Sequence, residues 1–189
     1  MSLDWSSLSD GELATLSLAG RQAAFAEIMR RHGQAIFRLS RGCIGDADEA
    51  LDLSQETFVA AYRAIGRYDG ARPMRTWLSA IALNKCRDWT RKRKVRRFLS
   101  FAVPIGADAE AVADIGVAVD DAASDRQELD RVRRAIAELP ATLKEPLVLH
   151  TIEGLSQADT AAVLSISEKA VETRLYRARA KLREKLDAR

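Results

Sequence analysis

Residues 153–179, EGLSQADTAAVLSISEKAVETRLYRAR, decide the fold of this chain. Two helix-start signals stand in it: Ser156 with Asp159 three residues on, and Ser167, each able to accept a hydrogen bond from an unpaired N–H of the turn it opens. With Ser165 and Ile166 just before the second cap, the spacing predicts a short helix, a tight turn and a longer helix. In the longer one Val171, Leu175, Ala178, Leu182 and Leu186 recur at steps of three and four, while Arg174, Arg177, Lys181 and Lys185 line a neighbouring face. One stripe packs and the other can meet phosphates. A helix-turn-helix puts the first turns of its second helix in the major groove, which here offers Lys169, Glu172, Thr173, Tyr176 and Arg177 to DNA. The plainer alternative is an amphipathic surface helix with solvated arginines.

Charge is distributed in blocks around this element. Lys85 to Arg97 holds eight basic residues against one acid, Asp88, whereas Ala107 to Asp130 holds eight acids against one base, Arg126. The net charge of +3 over 189 residues hides that alternation. Basic blocks suit a polyanion partner, and an acidic one is repelled by it or imitates it. Cys43 and Cys86 are too far apart for a Cys-x-x-Cys pair, and with only His32 and His150 besides, no zinc-ligand spacing arises. Both cysteines read as reduced and structural, as in a cytosolic protein. The first residues, MSLDWSSLSDGEL, lack a basic start and an apolar core, and no apolar run approaches the ~20 residues that span a bilayer. A cytoplasmic location is expected.

Upstream of the helix-turn-helix the pattern is helical throughout. Ser9 with Glu12 forms a capping box, and Phe25, Ile28, Met29, Ile36, Phe37 and Leu39 continue a helical apolar period. Asp46 with Glu49 starts another helix carrying Leu51, Phe58, Val59 and Tyr62. A third runs from about Thr76 through Trp77, Leu78, Ile81, Ala82 and Trp89 into the basic block; its two tryptophans are at core spacing. Between about Phe98 and Ser124 the period fails around Pro104, Gly106 and Gly116, which marks a domain boundary. Helices resume near Asp125, break at Leu139-Pro140 and lead into the helix-turn-helix. No alternating apolar pattern appears, so the fold class is all-α, with two small helical domains on a flexible acidic linker.

Two motif sets carry a family resemblance. The C-terminal half has LP at Leu139-Pro140, EGLS at 153–156 and RLYRAR at 174–179; the N-terminal half has DLSQETF at 52–58 and TWLSAIALNKCRDW at 76–89. Together they resemble the extracytoplasmic-function (ECF) class of bacterial sigma-70 factors, over about Phe25 to Lys94 and Val132 to Leu186. The resemblance implies a region 2 domain at 1–96, a linker at 97–126 and a region 4 domain at 127–189. It implies binding to RNA polymerase core at the clamp of the largest subunit, through Asp52, Gln55 and Glu56, and at the flap. It also implies promoter DNA as partner. The minus-ten set would be Arg72, Met74, Arg75, Asn84, Lys85, Arg87 and Arg91, on a loop (Tyr68 to Arg75) and helix that trap a flipped base, whose lost stacking pocket contacts must offset. The minus-thirty-five set would be Ser156, Lys169, Glu172, Thr173, Arg174, Tyr176 and Arg177. The acidic linker would stand in for nucleic acid near the catalytic cleft, and a cognate anti-sigma factor would hold the protein inactive. No cofactor and no catalysis in the chain itself are expected.

The sequence departs from the family pattern in places. Glu172 stands where a basic residue is common, and can accept from a cytosine amino group or pair with a helix neighbour. Ser165 replaces a frequent turn glycine, Gln157 and Thr160 replace an aromatic residue and an isoleucine, and Pro73 stiffens the minus-ten loop. Two rival functions compete. A stand-alone helix-turn-helix regulator leaves DLSQETF and TWLSAIALN without a reason. A carboxylate-bridged metal enzyme on Asp46, Asp48, Glu49, Asp52 and Glu56 lacks the Glu-x-x-His pairs such sites use.

Overall fold

Ser9 opens the first helix, α1 (Asp10–Leu18), by a reciprocal cap: its hydroxyl accepts from the Glu12 N–H at 3.3 Å and the Glu12 carboxylate accepts from the Ser9 N–H at 2.7 Å. Asp46 caps α3 (Ala47–Ala64) by accepting from the Glu49 N–H at 3.1 Å. Between them lies α2 (Gln22–Ile44), which ends on Gly45 in the left-handed conformation, and after them comes α4 (Met74–Ala102). This is a computed structural model, and it describes residues 4–102 and 121–187. The second half contains α5 (Asp121–Ala137), α6 (Ala141–Leu147), a π-helical turn at Val148–Ile152, α7 (Gln157–Leu164) and α8 (Glu168–Asp187). Helix α4 runs past residue 96 and α5 begins a few residues before Asp125. Residues 103–120, with most of the acidic segment and the stand-in role expected of it, lie outside the described residues.

The first half is a bundle of α1 to α4 around Leu13, Ile28, Leu39, Phe58, Leu78 and Leu83, all buried. On α3 the buried stripe is Ala50, Leu53, Ser54, Thr57, Phe58 and Ala61, whose small members let α2 and α4 approach closely. Leu51, Val59 and Tyr62, expected from the sequence as part of the apolar pattern, fall off that stripe and are 52%, 51% and 43% exposed. Met29 on α2 is exposed as well, so an apolar patch adjoins Asp52, Gln55 and Glu56.

The second half does not hang free on a linker. Its π-helical turn sits in a notch on α2 made by Gly42, where a Cβ would stand 3.1 Å from Val148 Cγ1. A Cβ on Gly45 would meet Ala137 Cβ at 2.7 Å, at φ +83°. Gly45→Ala is therefore penalised twice, by about 1–2 kcal/mol for a left-handed alanine and by a clash with α5. Gly20, at φ +86° with nothing within 4 Å, isolates the first penalty. Thermal unfolding is expected to show a clearly larger drop in Tm for Gly45→Ala than for Gly20→Ala.

An ionic knot ties the N-terminal turn (Trp5–Ser7) to α2. Arg31 bonds Glu27 at 2.9 Å, Asp10 at 3.1 Å and the carbonyls of Trp5 and Ser6, while Arg30 adds two bonds to Glu27 at 2.7 Å. The Arg30 and Arg31 guanidiniums pull the Glu27 carboxyl from 4.5 down to about 2. A carboxylate depressed in the folded state contributes stability that is present above its unfolded value and lost as pH falls toward the folded one. The Trp5 indole resonance is accordingly expected to broaden between about pH 4.5 and 2. In Glu27→Gln that acid transition is expected to be absent.

Candidate nucleic-acid interface

The helix-turn-helix is built by its predicted caps. Ser156 Oγ accepts from the Asp159 N–H at 2.9 Å and donates to the Asp159 carboxylate at 2.6 Å, so both functions of this hydroxyl serve the start of α7. Ser167 Oγ accepts from the Ala170 N–H at 3.2 Å. Ser165 takes the left-handed conformation (φ 54°, ψ 46°), and the Ile166 N–H donates back to the Ala161 carbonyl at 3.1 Å, closing the turn without glycine. Val171, Leu175 and Ala178 bury one side of α8 against α6 and α7.

That packing leaves Lys169, Glu172, Thr173, Tyr176 and Arg177 exposed on one side and Arg174 half-buried. Tyr176 is 75% exposed. Lys185, expected on the basic face, instead pairs with Glu138 at the end of α5 at 2.6 Å. Thr173 Oγ1 donates to the Lys169 carbonyl at 2.9 Å, and Glu172 pairs with Lys169 at 2.7 Å, which is the helix-neighbour arrangement. Removing the carboxylate frees Lys169 for phosphate, so Glu172→Ala is expected to reorder the promoters bound from a randomised minus-thirty-five library. An unchanged ranking would leave Glu172 with no part in base preference.

The α4 side of the candidate site is different in kind. Every cation expected there is engaged by a carboxylate: Arg72 by Asp69 at 3.5 Å, Lys85 by Glu56 at 3.0 Å, Arg91 by Asp88, Arg75 by Glu153 at 2.8 Å and Arg87 by Glu145 at 2.7 Å. Met74 is buried at the start of the helix, and the exposed Asn84 accepts from Arg87 at 3.4 Å. Asp52 and Gln55 are exposed on α3, and Glu56 joins that face to α4 through Lys85. The tryptophans are packed: Trp77 lies 5.3 Å from the Tyr68 ring, and Trp89 donates to Glu49 at 2.7 Å beneath the Arg93 guanidinium.

Glu145 and Glu153 are the residues that sequence reasoning missed. The Glu153 side chain, 1% exposed, sits between Arg38, at 3.2 Å to each oxygen, and Arg75. Glu145 accepts two bonds from Arg87, and Asp159 in the first turn of α7 accepts from Thr76 at 3.2 Å. A carboxylate between Ile152 and Leu155 has to find a cation if it is buried, which is the only signal the sequence holds.

Comparison with known proteins bears directly on this arrangement. The Sigma-70 region 2 profile matches residues 28–105 and the Sigma-70, region 4 profile matches 129–182. The RNA polymerase sigma factor CnrH of Cupriavidus metallidurans is 42% identical over 184 residues, which cover 95% of each chain. The ECF RNA polymerase sigma factor SigM of Mycobacterium tuberculosis is 34% identical over 176 residues, covering 92% of this chain and 83% of SigM. This chain belongs to the ECF sigma factors. The fold agrees: a structure of CnrH in complex with the cytosolic domain of CnrY superposes with a TM-score of 0.70 at 37% identity, covering 95% of this chain and 97% of CnrH. The all-α, two-part architecture is thus that of sigma regions 2 and 4, and the sigma factor family is not a class of enzymes. Among the described residues no helix is long and apolar enough to cross a membrane.

Proposed function

We propose that this ECF sigma factor directs RNA polymerase core to promoters through the three faces described, and that the arrangement seen is its closed, resting form. Region 4 reads minus thirty-five with the exposed side of α8. Region 2 docks on the polymerase clamp with Asp52, Gln55 and Glu56 around the apolar patch of Leu51, Val59 and Tyr62, and traps minus ten with the loop and helix from Arg72 to Arg91. The observation that carries the closed state is the pairing of Arg75 and Arg87 with Glu153 and Glu145 of region 4. Both arginines must leave those partners before they can hold DNA, while the recognition face needs no such release. The proposed division at 97–126 is what allows that release, since the linker covalently joins two halves whose contact is otherwise non-covalent. A cognate anti-sigma factor that clamps regions 2 and 4 together fits this logic, and CnrH, bound to CnrY, has the same fold. The site of action is the cytoplasm, where core and promoters are.

The rival, a DNA-binding regulator that recruits nothing, gives the apolar patch on α3 no occupant. The experiment mixes the purified protein with bacterial core polymerase and a library randomised at minus thirty-five and minus ten. Co-elution with core and transcripts that share a promoter motif support the sigma function. DNA binding with no affinity for core would establish the regulator instead.

A further inference from the structure

Arg38, on α2, belongs to neither set of sequence motifs, yet it reaches the same carboxylate as Arg75, at the start of α4. Glu153 Oε1 accepts from Arg38 Nε at 3.2 Å, and Oε2 accepts both from Arg38 Nη2 at 3.2 Å and from Arg75 Nη2 at 2.8 Å. Two guanidiniums from different helices of region 2 thus converge on one oxygen of region 4. The cluster sets two cations against one anion, and its members differ in exposure: the Glu153 side chain is 1% exposed, Arg38 43% and Arg75 38%. The carboxylate is enclosed while the arginines border solvent. Arg75 is also held incompletely: its Nε is buried without a hydrogen-bond partner, so it grips Glu153 by one prong where Arg38 uses two. A buried donor without a partner is costly, and an acceptor of another shape would satisfy it. A phosphodiester is such an acceptor. It too shares one negative charge between two terminal oxygens, but on a tetrahedral centre, and guanidiniums bind it in the same forked way.

We propose that Arg38 and Arg75 form a binding site for a backbone phosphate of single-stranded promoter DNA, and that Glu153 fills this site in the closed form as the protein's own stand-in for that phosphate. Arg38 thereby joins the residues that hold DNA. When region 4 departs it takes with it the carboxylate the two arginines share, and a surface left with one sign of charge favours whatever anion replaces it. Position decides which anion that is. Arg75 directly follows a loop shaped by its own hydrogen bonds: the Tyr68 hydroxyl donates to the Arg72 carbonyl at 2.6 Å, and the Ala71 N–H donates to Asp69 Oδ1 at 3.0 Å. A strand whose base enters that loop brings its backbone to Arg75 and so to Arg38. Phosphate and carboxylate cannot occupy the site together, so strand capture and the docking of Glu153 exclude one another. The site rests on the minus-ten role proposed for this loop.

The test uses the full chain with Glu153→Lys, so that the stand-in is absent from every protein compared, with and without Arg38→Ala. Binding to a labelled single-stranded minus-ten oligonucleotide is read by fluorescence anisotropy over a range of salt, while one uncharged methylphosphonate is moved along the oligonucleotide. Arg38→Ala is expected to weaken binding by about 10-fold and to lower the salt slope by about 0.7, the value for one phosphate contact on a single strand. Neutralising one particular linkage is expected to cost as much when Arg38 is present and nothing further in Arg38→Ala. The same linkage is expected to couple to Arg75→Ala. Arg38→Lys is expected to keep the salt slope and recover only part of the affinity, since an ammonium keeps the charge without the fork. Unchanged affinity and slope in Arg38→Ala would leave Arg38 as a latch for region 4 alone. A loss that is the same whichever linkage is neutral would show a general charge effect. Either result overturns the phosphate site. Failure of the minus-ten role shows separately: a protein that captures no minus-ten strand, with either residue at 38, removes the loop's role and the site with it.

Discussion

Glu153→Lys opens the sigma factor. In the native chain the Glu153 carboxylate is nearly inaccessible and is held by Arg38 at 3.2 Å and Arg75 at 2.8 Å. A lysine there would put a third cation, itself out of reach of solvent, against Arg38 and Arg75, and disrupting a buried ion pair costs about 3–5 kcal/mol. That penalty is relieved only when region 4 leaves region 2, so the ratio of open to closed protein is expected to rise by more than ~100-fold. Affinity for a target is reduced by the fraction of protein competent to bind it. Arg75 and Arg87 released from region 4 are therefore expected to bind a single-stranded minus-ten oligonucleotide at least ~10-fold more tightly in the variant than in the native chain. Fluorescence anisotropy of the labelled oligonucleotide measures this, and far-UV circular dichroism checks that both halves remain helical. Equal affinities in native and variant protein would mean that the ion pairs mask nothing.

Arg177→Ala has the second large effect, and on the other half of the promoter. Arg177 stands exposed beside Tyr176 on the side of α8 that region 2 leaves open. Loss of a base-edge contact costs about 1–3 kcal/mol, and loss of a phosphate contact lowers the salt slope by about one. Binding to minus-thirty-five duplex is expected to weaken by about 10-fold or more at moderate salt. Binding to single-stranded minus-ten DNA should not change. Arg183, also exposed but six residues further along the helix, is the control: Arg183→Ala is expected to leave minus-thirty-five preference as it was. Equal losses for the two variants would show a general charge effect rather than a reading head.

The parts of the molecule visible in the sequence are those set by neighbours along the chain. Ser9, Asp46, Ser156 and Ser167 cap the helices they were expected to cap, because a cap is a bond across three residues. The stripe of Val171, Leu175 and Ala178 is buried as its period predicts. Leu51, Val59 and Tyr62 misled because a helical period tells that a face is apolar but not whether the protein itself covers it. On α3 two apolar faces adjoin, and the one with Ala50, Ser54, Thr57 and Ala61 wins the core because small residues admit closer helices. The docking of region 4 was not legible at all. Glu145 and Arg87 are separated by 58 positions and Glu153 and Arg75 by 78, so no local pattern announces them. The assignment of Arg75 and Arg87 to promoter contact came from motif position, and the structure adds that another partner already holds them.

In the closed resting form proposed for this sigma factor, regions 2 and 4 lie against one another, and they separate on the polymerase. The most direct measurement is the distance between fluorophores at Asp48 and Glu138, both exposed and flanking the contact of Gly45 with Ala137, attached by chemistry that spares Cys43 and Cys86. Energy transfer is predicted to report one short distance in the free protein and a much longer one after core polymerase is added. A distance that is already long in the free protein, or that stays short on the polymerase while transcription proceeds, would contradict the closed resting form.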